Sequence, residues 1–485
     1  MNAASVETDI LIVGAGPVGL FLANECARRG LRWRLIEARA AQSEHSKALA
    51  IFPRTLEIFD MAGVVAPFLE AANRVTAVAI ASKGRTLARI PFVPQNSPYP
   101  FVAMVPQDVT EKLLVEELRR KGGNIEYETS LVGAIPRGDH VSVTLDRKGQ
   151  RAETTAAYVA GCDGAHSAVR HLLHLSFEGA QYEALFLLAD VATNETLPAD
   201  EMQLCPSELG PAAIFPMSAT RRRIVATVAQ PEGEVPSLDL VRRILAERAP
   251  RGIEASDIYW SSYFRIHHRQ VADLRVGRIF VAGDAAHIHS PFGGQGMNTG
   301  LGDAWNLAWK LDLAVRGRAG DTLLDSYSAE RRPVIRGVIK TTHFLTRALG
   351  TANRVAQALR DTLIPIVTRL PPFRRAFVQR LSQLGFAYHG SPIVEGSGKR
   401  YLDDSMRGGK GILSRFLLLV GEDAKPSTTQ AARTLAESLA DLVEFRSIRG
   451  RGLMLVRPDG YLAFERRRAG PAALASVRDL LERMR

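Results

Sequence analysis

DILIVGAGPVGLFLANECARRGLRWRLIE, residues 9 to 37, decides the fold. Ile10 to Val13 is an unbroken apolar run, which predicts a strand covered on both faces. Gly14-Ala15-Gly16-Pro17-Val18-Gly19 follows directly, and Leu20 to Arg29 consists mostly of helix formers. Glycines at this spacing permit a tight turn, close passage of a pyrophosphate and close helix packing, while the helix N-terminus supplies positive potential for phosphate. Leu35-Ile36-Glu37 ends a second strand, placing Glu37 about 20 residues on, where a carboxylate accepts from an adenosine ribose. Together these parts predict a βαβ dinucleotide site built from Gly14, Gly16, Pro17, Gly19 and Glu37. Arg39 would suit a phosphorylated ribose, whereas Glu37 favours an unphosphorylated one.

Two later segments repeat the pattern of a buried strand that ends in a ligand-facing turn. Residues 279 to 309 read IFVAGDAAHIHSPFGGQGMNTGLGDAWNLAW: a short apolar run, then Gly283-Asp284, then a turn crowded with Gly293, Gly294 and Gly296 before a helix. In open α/β sheets ligands bind at the carboxyl ends of strands, where Asp284 can accept from ribitol or ribose hydroxyls. The glycines allow backbone N–H groups to approach a planar ring closely. A plain glycine-rich connection would use the same residues. Residues 158 to 170, YVAGCDGAHSAVR, again end an apolar run in Asp163-Gly164, with Ser167 placed to cap the next helix. Asp-Gly is also a common turn dipeptide, so this segment taken alone stays open.

In this order and at this wide spacing the three segments resemble the FAD-dependent aromatic hydroxylases. These are single-component flavoprotein monooxygenases related to p-hydroxybenzoate and phenol hydroxylases, and the chain is most similar to those of aromatic polyketide biosynthesis. Lys47-Ala48 through Pro53-Arg54-Thr55-Leu56-Glu57 resembles the family segment that crosses the flavin, and Gln107 of Val105-Pro106-Gln107 resembles a glutamine that contacts FAD. Many members have arginine at the position of Lys47, which has the same charge but adds a bidentate grip. The resemblance implies that FAD is held by Gly14, Gly16, Pro17, Gly19, Glu37, Lys47, Arg54, Gln107, Asp163, Gly164, Asp284, Pro291, Gly294, Gly296, Met297 and Asn298. Asp284 would hold the ribityl chain, and Asp163 would lie toward the pyrophosphate. Pro291 and the backbone from Gly294 to Asn298 would border the reactive edge.

The fold implied is α/β: a Rossmann-like FAD-binding fold with an interleaved β-sheet substrate domain and a C-terminal thioredoxin-like domain. FAD-binding parts are expected at 1–175 and 276–388, the substrate sheet at 176–275, and the C-terminal domain at 401–485. Residues 453 to 464 fit two strands joined by Pro458-Asp459-Gly460. No cysteine lies beyond Cys205, so Cys-x-x-Cys chemistry is excluded there, and a packing or dimer role is expected. The resemblance leaves room for a homodimer.

Composition fits this picture. A chain of 485 residues has room for two or three domains, and 46% hydrophobic with 23% charged residues is ordinary for a globular protein. No apolar stretch is long enough to span a membrane, and residues 10 to 23 follow Glu7 and Asp9 and lack a basic n-region, so neither a membrane partner nor a signal peptide is expected. Three scattered cysteines give no disulfide framework or metal cluster, and a reducing cytoplasm is the expected location. The net charge of +11 comes without a groove-reading helix or aromatic platform, so nucleic acid is not expected. Anionic FAD and NADPH or NADH account for part of that charge, and the arginines between Arg331 and Arg380 read as solvated helix face.

The resemblance implies an enzyme that consumes NADPH or NADH and molecular oxygen and hydroxylates a phenolic or polycyclic aromatic substrate through a flavin hydroperoxide. Baeyer-Villiger or epoxidising chemistry is the alternative within the family. A flavin-dependent halogenase is disfavoured because Trp-x-Trp-x-Ile-Pro is missing, and a non-enzymatic flavin-binding protein ranks last. No catalytic side chain is assigned. His267, His268, Tyr263 and Arg265 are candidates for substrate contact, and His287 and His289 are expected to be backbone partners or surface groups.

Overall fold

The computed structural model describes residues 6–485 apart from 44–45, 94–95, 291–292, 351–352 and 410–412, and it leaves the side chains of 181–183, 266–267, 347 and 354 undescribed. Four strands run parallel in the order Ile279–Val281, Gln150–Gly161, Thr8–Val13 and Trp33–Ile36. Their registers coincide at one end: Val13 lies beside both Ile36 and Gly161, and Gly161 beside Val281. The three motifs and Glu37 therefore leave the sheet along a single edge. Gly14, Cys162 and Ala282 continue the ladder one residue further, each amide donating to the neighbouring strand at 2.8 to 2.9 Å.

The strand Gln150–Gly161 has two neighbourhoods. Its first half pairs antiparallel with Val141–Arg147, which pairs in turn with Thr129–Pro136, giving a three-stranded meander. Its second half is the parallel centre of the sheet. Helix Pro17–Arg28 begins without a side-chain cap and closes at Gly30, whose φ of +70° permits the Leu31 amide to reach Cys26 O at 3.1 Å. Helix Gly296–Val315 packs upon it. A Cβ at Gly300 would lie 2.6 Å from Val18 Cγ2 and 3.0 Å from Gly283 Cα, so only glycine allows this approach.

A second sheet runs His287–Ile288, Ala255–Val271, Phe177–Thr193, Arg221–Val228, Ala212–Pro216, Glu201–Cys205, Ala77–Ser82 and Arg85–Pro91. Strand alternation divides its side chains between two apolar clusters. Phe186, Leu188, Met202, Phe215 and Val225 face Ala50 and Phe52, whereas Leu187, Ala189, Ile214 and Ile224 lie under helix Leu238–Arg248. The expected limit at residue 176 needs correction, because the hairpin Ala77–Pro91 belongs to this sheet. Its Ala77 to Ile80 pair with Glu201 to Leu204 and are buried on both faces, which an edge of the first sheet would not provide.

Beyond helices Asp321–Leu349, Arg354–Val367 and Pro371–Leu381, a four-stranded sheet of order Val443–Ile448, Phe416–Gly421, Leu453–Val456, Leu462–Arg466 carries two helices. Its core is continuous with helix Gly296–Val315, for Trp309 is fully buried edge-on to Phe416. Buried charges tie the two parts together. Glu330 binds Arg457 and, at 2.8 Å, Lys310, and Arg457 also binds Asp459 at 2.6 Å, all four side chains being fully enclosed. Asn306 and Ser391 donate to the same Glu330 carboxylate at 2.7 and 2.6 Å.

Candidate functional site

The common edge of the parallel sheet has the properties of a dinucleotide cleft. Glu37 is buried and accepts from the Ala15 amide at 2.8 Å and from both the amide and guanidinium of Arg39 at 3.0 Å. Burial alone would raise its carboxyl, but these donors outweigh burial and hold it below its usual range. Glu37 thus fixes the glycine turn and keeps its charge. Gly16 and Gly164 have nothing within 4 Å of a Cβ position, so both turns leave room for a ligand against bare backbone. Asp163 accepts from the Val169 amide with one carboxylate oxygen, while the other is buried without a partner and burial raises its pKa. The helices starting at Pro17 and Gly296 have neither side-chain caps nor acidic residues in their first turns, which leaves amide donors directed outward. An orphaned acceptor, two open glycine turns and two uncapped helix ends fit an anionic dinucleotide such as FAD.

The Gly283–Asp284 turn is held from below. Asp303, fully buried, accepts from the Gly283 amide at 3.1 Å, from His287 Nε2 at 2.7 Å and from Arg331 Nε at 2.7 Å. Burial opposes its ionisation, but Arg331 and His287 prevail and lower its pKa. Arg331 also donates to the Thr299 carbonyl at 3.0 Å, and Arg170 links the Asp163 and Asp284 turns through the carbonyls of Ala165 and Ala285. Asp284 itself is exposed at the cleft. Surrounding protein nevertheless strips enough water to raise its carboxyl, against the pull of His287 and Lys47. Lys47 is exposed, and its charge acts on Asp284 across the cleft.

Side chains in the wall formed by residues 46 to 54 are largely engaged within the protein. The Asn298 side chain accepts from the Phe52 amide at 2.9 Å and donates to Ala50 O and Gly294 O at 2.8 and 3.0 Å. Its side chain is therefore fully used within the protein, and only the helix-terminal amides of Gly296, Met297 and Asn298 remain for a ligand. Gln107 likewise bridges the Ala48 amide and Glu111. Arg54 was expected at the flavin, but it is buried between Glu57, the Asp459 carbonyl at 2.9 Å and the Tyr461 ring at 4.7 Å. It faces the C-terminal segment because the first turn of helix Pro53–Ala62 is enclosed there. Pro291 lies outside the described residues. Arg223, buried and bidentate with Asp190, reaches across from the second sheet to the Lys47 and Ala48 carbonyls at 3.2 and 3.1 Å.

An apolar cavity adjoins this wall. It lies between Ala50, Phe52 and Gly293 on one side and Met202, Leu204, Phe215, Phe377 and Leu381 on the other. None of its lining side chains ionises. Tyr263 is turned to the opposite face of the second sheet, where its hydroxyl meets the Glu232 backbone. His268 lies 5.6 Å from the His343 ring, and burial with His343 lowers its pKa. The His267 side chain is outside the described residues. His289 Nδ1 donates to the Ser290 carbonyl at 3.0 Å and the ring stands beside Gly296; burial and His287 lower its pKa to about 4, so it is neutral at physiological pH. Sequence reading passed over Asp303, Arg331, Arg170 and the Arg223–Asp190 pair.

Residues 7–342 match the family model described as FAD binding domain. The chain is 33% identical to 6-methylpretetramide 4-monooxygenase of Streptomyces rimosus, over 96% of this chain and 92% of that one. It is 31% identical to an uncharacterised aromatic compound monooxygenase of Bacillus subtilis, covering 95% and 94%. Among solved structures, anhydrotetracycline hydroxylase from Streptomyces rimosus superposes with a TM-score of 0.79 at 29% identity, covering 98% of this chain and 99% of the other.

Proposed function

Since this chain belongs to the FAD-binding-domain family and is an FAD-dependent aromatic monooxygenase, we propose that it hydroxylates a largely apolar, polycyclic phenol at the expense of NADPH or NADH and molecular oxygen. The observation that carries the substrate class is the apolar cavity at the Gly293 turn, which Ala50 and Phe52 line on the side of the cofactor cleft. In the net reaction a C–H bond becomes C–OH, one oxygen atom enters the product, and the other leaves as water with two electrons from the nicotinamide. FAD bound in the cleft supplies the acceptor for those electrons and the activation of oxygen.

The protein's own residues hold and exclude. Glu37 and Asp284 would accept from the ribose and ribityl hydroxyls, and the amides of Val18, Gly19 and Gly164 would face the pyrophosphate. The free amides of Gly296 to Asn298 would donate to the carbonyl edge of the ring system. The apolar lining orients the substrate and keeps water from the reacting centre. Among the described lining residues none is placed to deprotonate the substrate, and the substrate in this reading is an acidic phenol or enol that ionises readily.

The test is NADPH and NADH oxidation by FAD-loaded enzyme against a panel of monocyclic and polycyclic phenols, with peroxide and product mass measured together. Stimulated oxidation with a product one oxygen heavier and its ring intact supports the reading. A ring-expanded ester would assign Baeyer-Villiger chemistry instead, and halogen incorporation would overturn both.

A further inference from the structure

Residues 331 to 394 contain eleven arginines and lysines but one acidic residue, Asp361, so this segment carries +10 of the chain's +11. Within it, helix Arg354–Val367 is turned inside out. Val355, Leu359, Leu363 and Ile366 are 77%, 58%, 43% and 56% exposed, and at 3.6 residues per turn they share one arc of about 80°. The inward side holds the buried Gln357, the partly buried Ile364, and Asp361, which accepts from Ser82 Oγ at 2.9 Å. A helix at a protein surface normally buries its apolar stripe.

The stripe continues on both flanks. Arg336, Lys340 and Phe344 recur every fourth residue on helix Asp321–Leu349, with Phe344 69% exposed. On the other side Leu370 and Phe373 are exposed among Arg369, Arg374, Arg375 and Arg380. Among the described residues, none of these six cations makes an ion pair. Exposed apolar rows beside unneutralised arginines are the composition of a helix that lies in a lipid headgroup layer. A second copy of this chain is a poor occupant, because two such faces would bring like charges together.

We infer that helix Arg354–Val367 and its basic flanks dock on an anionic lipid surface, apolar row inward. Among the described residues no helix is long and apolar enough to cross a membrane, so attachment is peripheral and reversible. This departs from the expectation of no membrane partner. Leu345, Leu349, Phe377 and Leu381, which line the cavity, come from the helices on either side of this segment. Docking would bring the wall of the cavity toward the layer in which apolar aromatics partition.

The experiment is flotation of FAD-loaded protein with vesicles of phosphatidylcholine alone or mixed with phosphatidylglycerol. Binding is expected only to the anionic vesicles and should be reversed by salt. Leu359→Asp with Leu363→Asp should abolish it while bound-flavin absorbance and thermal midpoint stay unchanged. Arg374→Gln and Arg375→Gln should each weaken it about fivefold. Failure to float with anionic vesicles, or equal flotation with neutral ones, overturns the inference. So does a dimer, seen by light scattering, that the aspartate pair dissolves, since the face would then be an interface between copies. None of these outcomes depends on the hydroxylase assay.

Discussion

Replacing Asn298 by alanine should damage the wall between cofactor cleft and cavity without removing any group that touches a ligand. The side chain satisfies the Phe52 amide and the Ala50 carbonyl in a buried setting, at 2.9 and 2.8 Å, and the Gly294 carbonyl at 3.0 Å. Orphaning a buried donor or acceptor costs about 1–3 kcal/mol, so losing the two enclosed partners costs about 2–6 kcal/mol. Asn298→Asp is the informative control. It keeps an acceptor for Phe52 but sets a negative charge against two carbonyls, and should fare no better. The assay is urea denaturation of FAD-loaded protein followed by bound-flavin fluorescence, together with the ratio of peroxide to product once a substrate is in hand. The expected result is a lower midpoint and more peroxide per nicotinamide consumed, because a loosened Ala50–Phe52 wall admits water. A variant within about 0.5 kcal/mol of the parent, typical of an indifferent surface change, with an unchanged peroxide ratio would refute the reasoning.

Further outcomes are expected elsewhere. Glu330→Ala leaves Arg457 and Lys310 buried without their carboxylate and should cost about 3–5 kcal/mol, read as a lower thermal midpoint and faster proteolytic release of the segment beyond residue 400. Gly300→Val drives a side chain into Val18 and the Gly283 backbone and should reduce retained FAD on gel filtration. His289 has a folded-state pKa lowered from 6.5 to about 4, so above 6.5 it is neutral in both states and has no effect. As pH falls from 6.5 toward 4 the unfolded chain takes up the proton first, and stability drops; His289→Gln should flatten that limb of a denaturation–pH profile. Met202→Trp narrows the cavity and should raise KM for polycyclic phenols more than for monocyclic ones.

The cofactor edge was legible because its requirements are local. A glycine turn after a buried strand, with an acid at the next strand end, has few other uses, and Val13, Ile36, Gly161 and Val281 do align. Side-chain roles were less legible. Asn298, Gln107 and Arg54 sit in the segments expected to touch the flavin, yet their side chains bind backbone or the C-terminal segment, and a linear motif does not distinguish a residue that holds a ligand from one that holds the loop. The buried charges joined residues far apart, as in the pairing of Glu330 with Arg457. One local sign was available: Asp303, Asn306 and Lys310 recur at helical spacing within a run of tryptophans, leucines and alanines, so a single polar row had to be satisfied inside the core. The hairpin Ala77–Pro91 falls within the span 1–175 expected for the FAD-binding part, because position along the chain does not reveal a strand's partner.

Trp305 and Arg54 both donate to one carbonyl, that of Asp459, so two helices from the first part of the chain converge on a single turn near its end. For recombination between relatives this makes residue 400 a poor crossover point, despite the change of sheet that follows it. A chimera would join one parent's Arg54, Trp305, Lys310 and Glu330 to another parent's turn, and unmatched partners would be trapped where water cannot reach. Productive exchange should instead carry helices Pro53–Ala62, Gly296–Val315 and Asp321–Leu349 with the C-terminal sheet as one inherited block, leaving Ala77–Pro91 and 177–271 as the part to exchange.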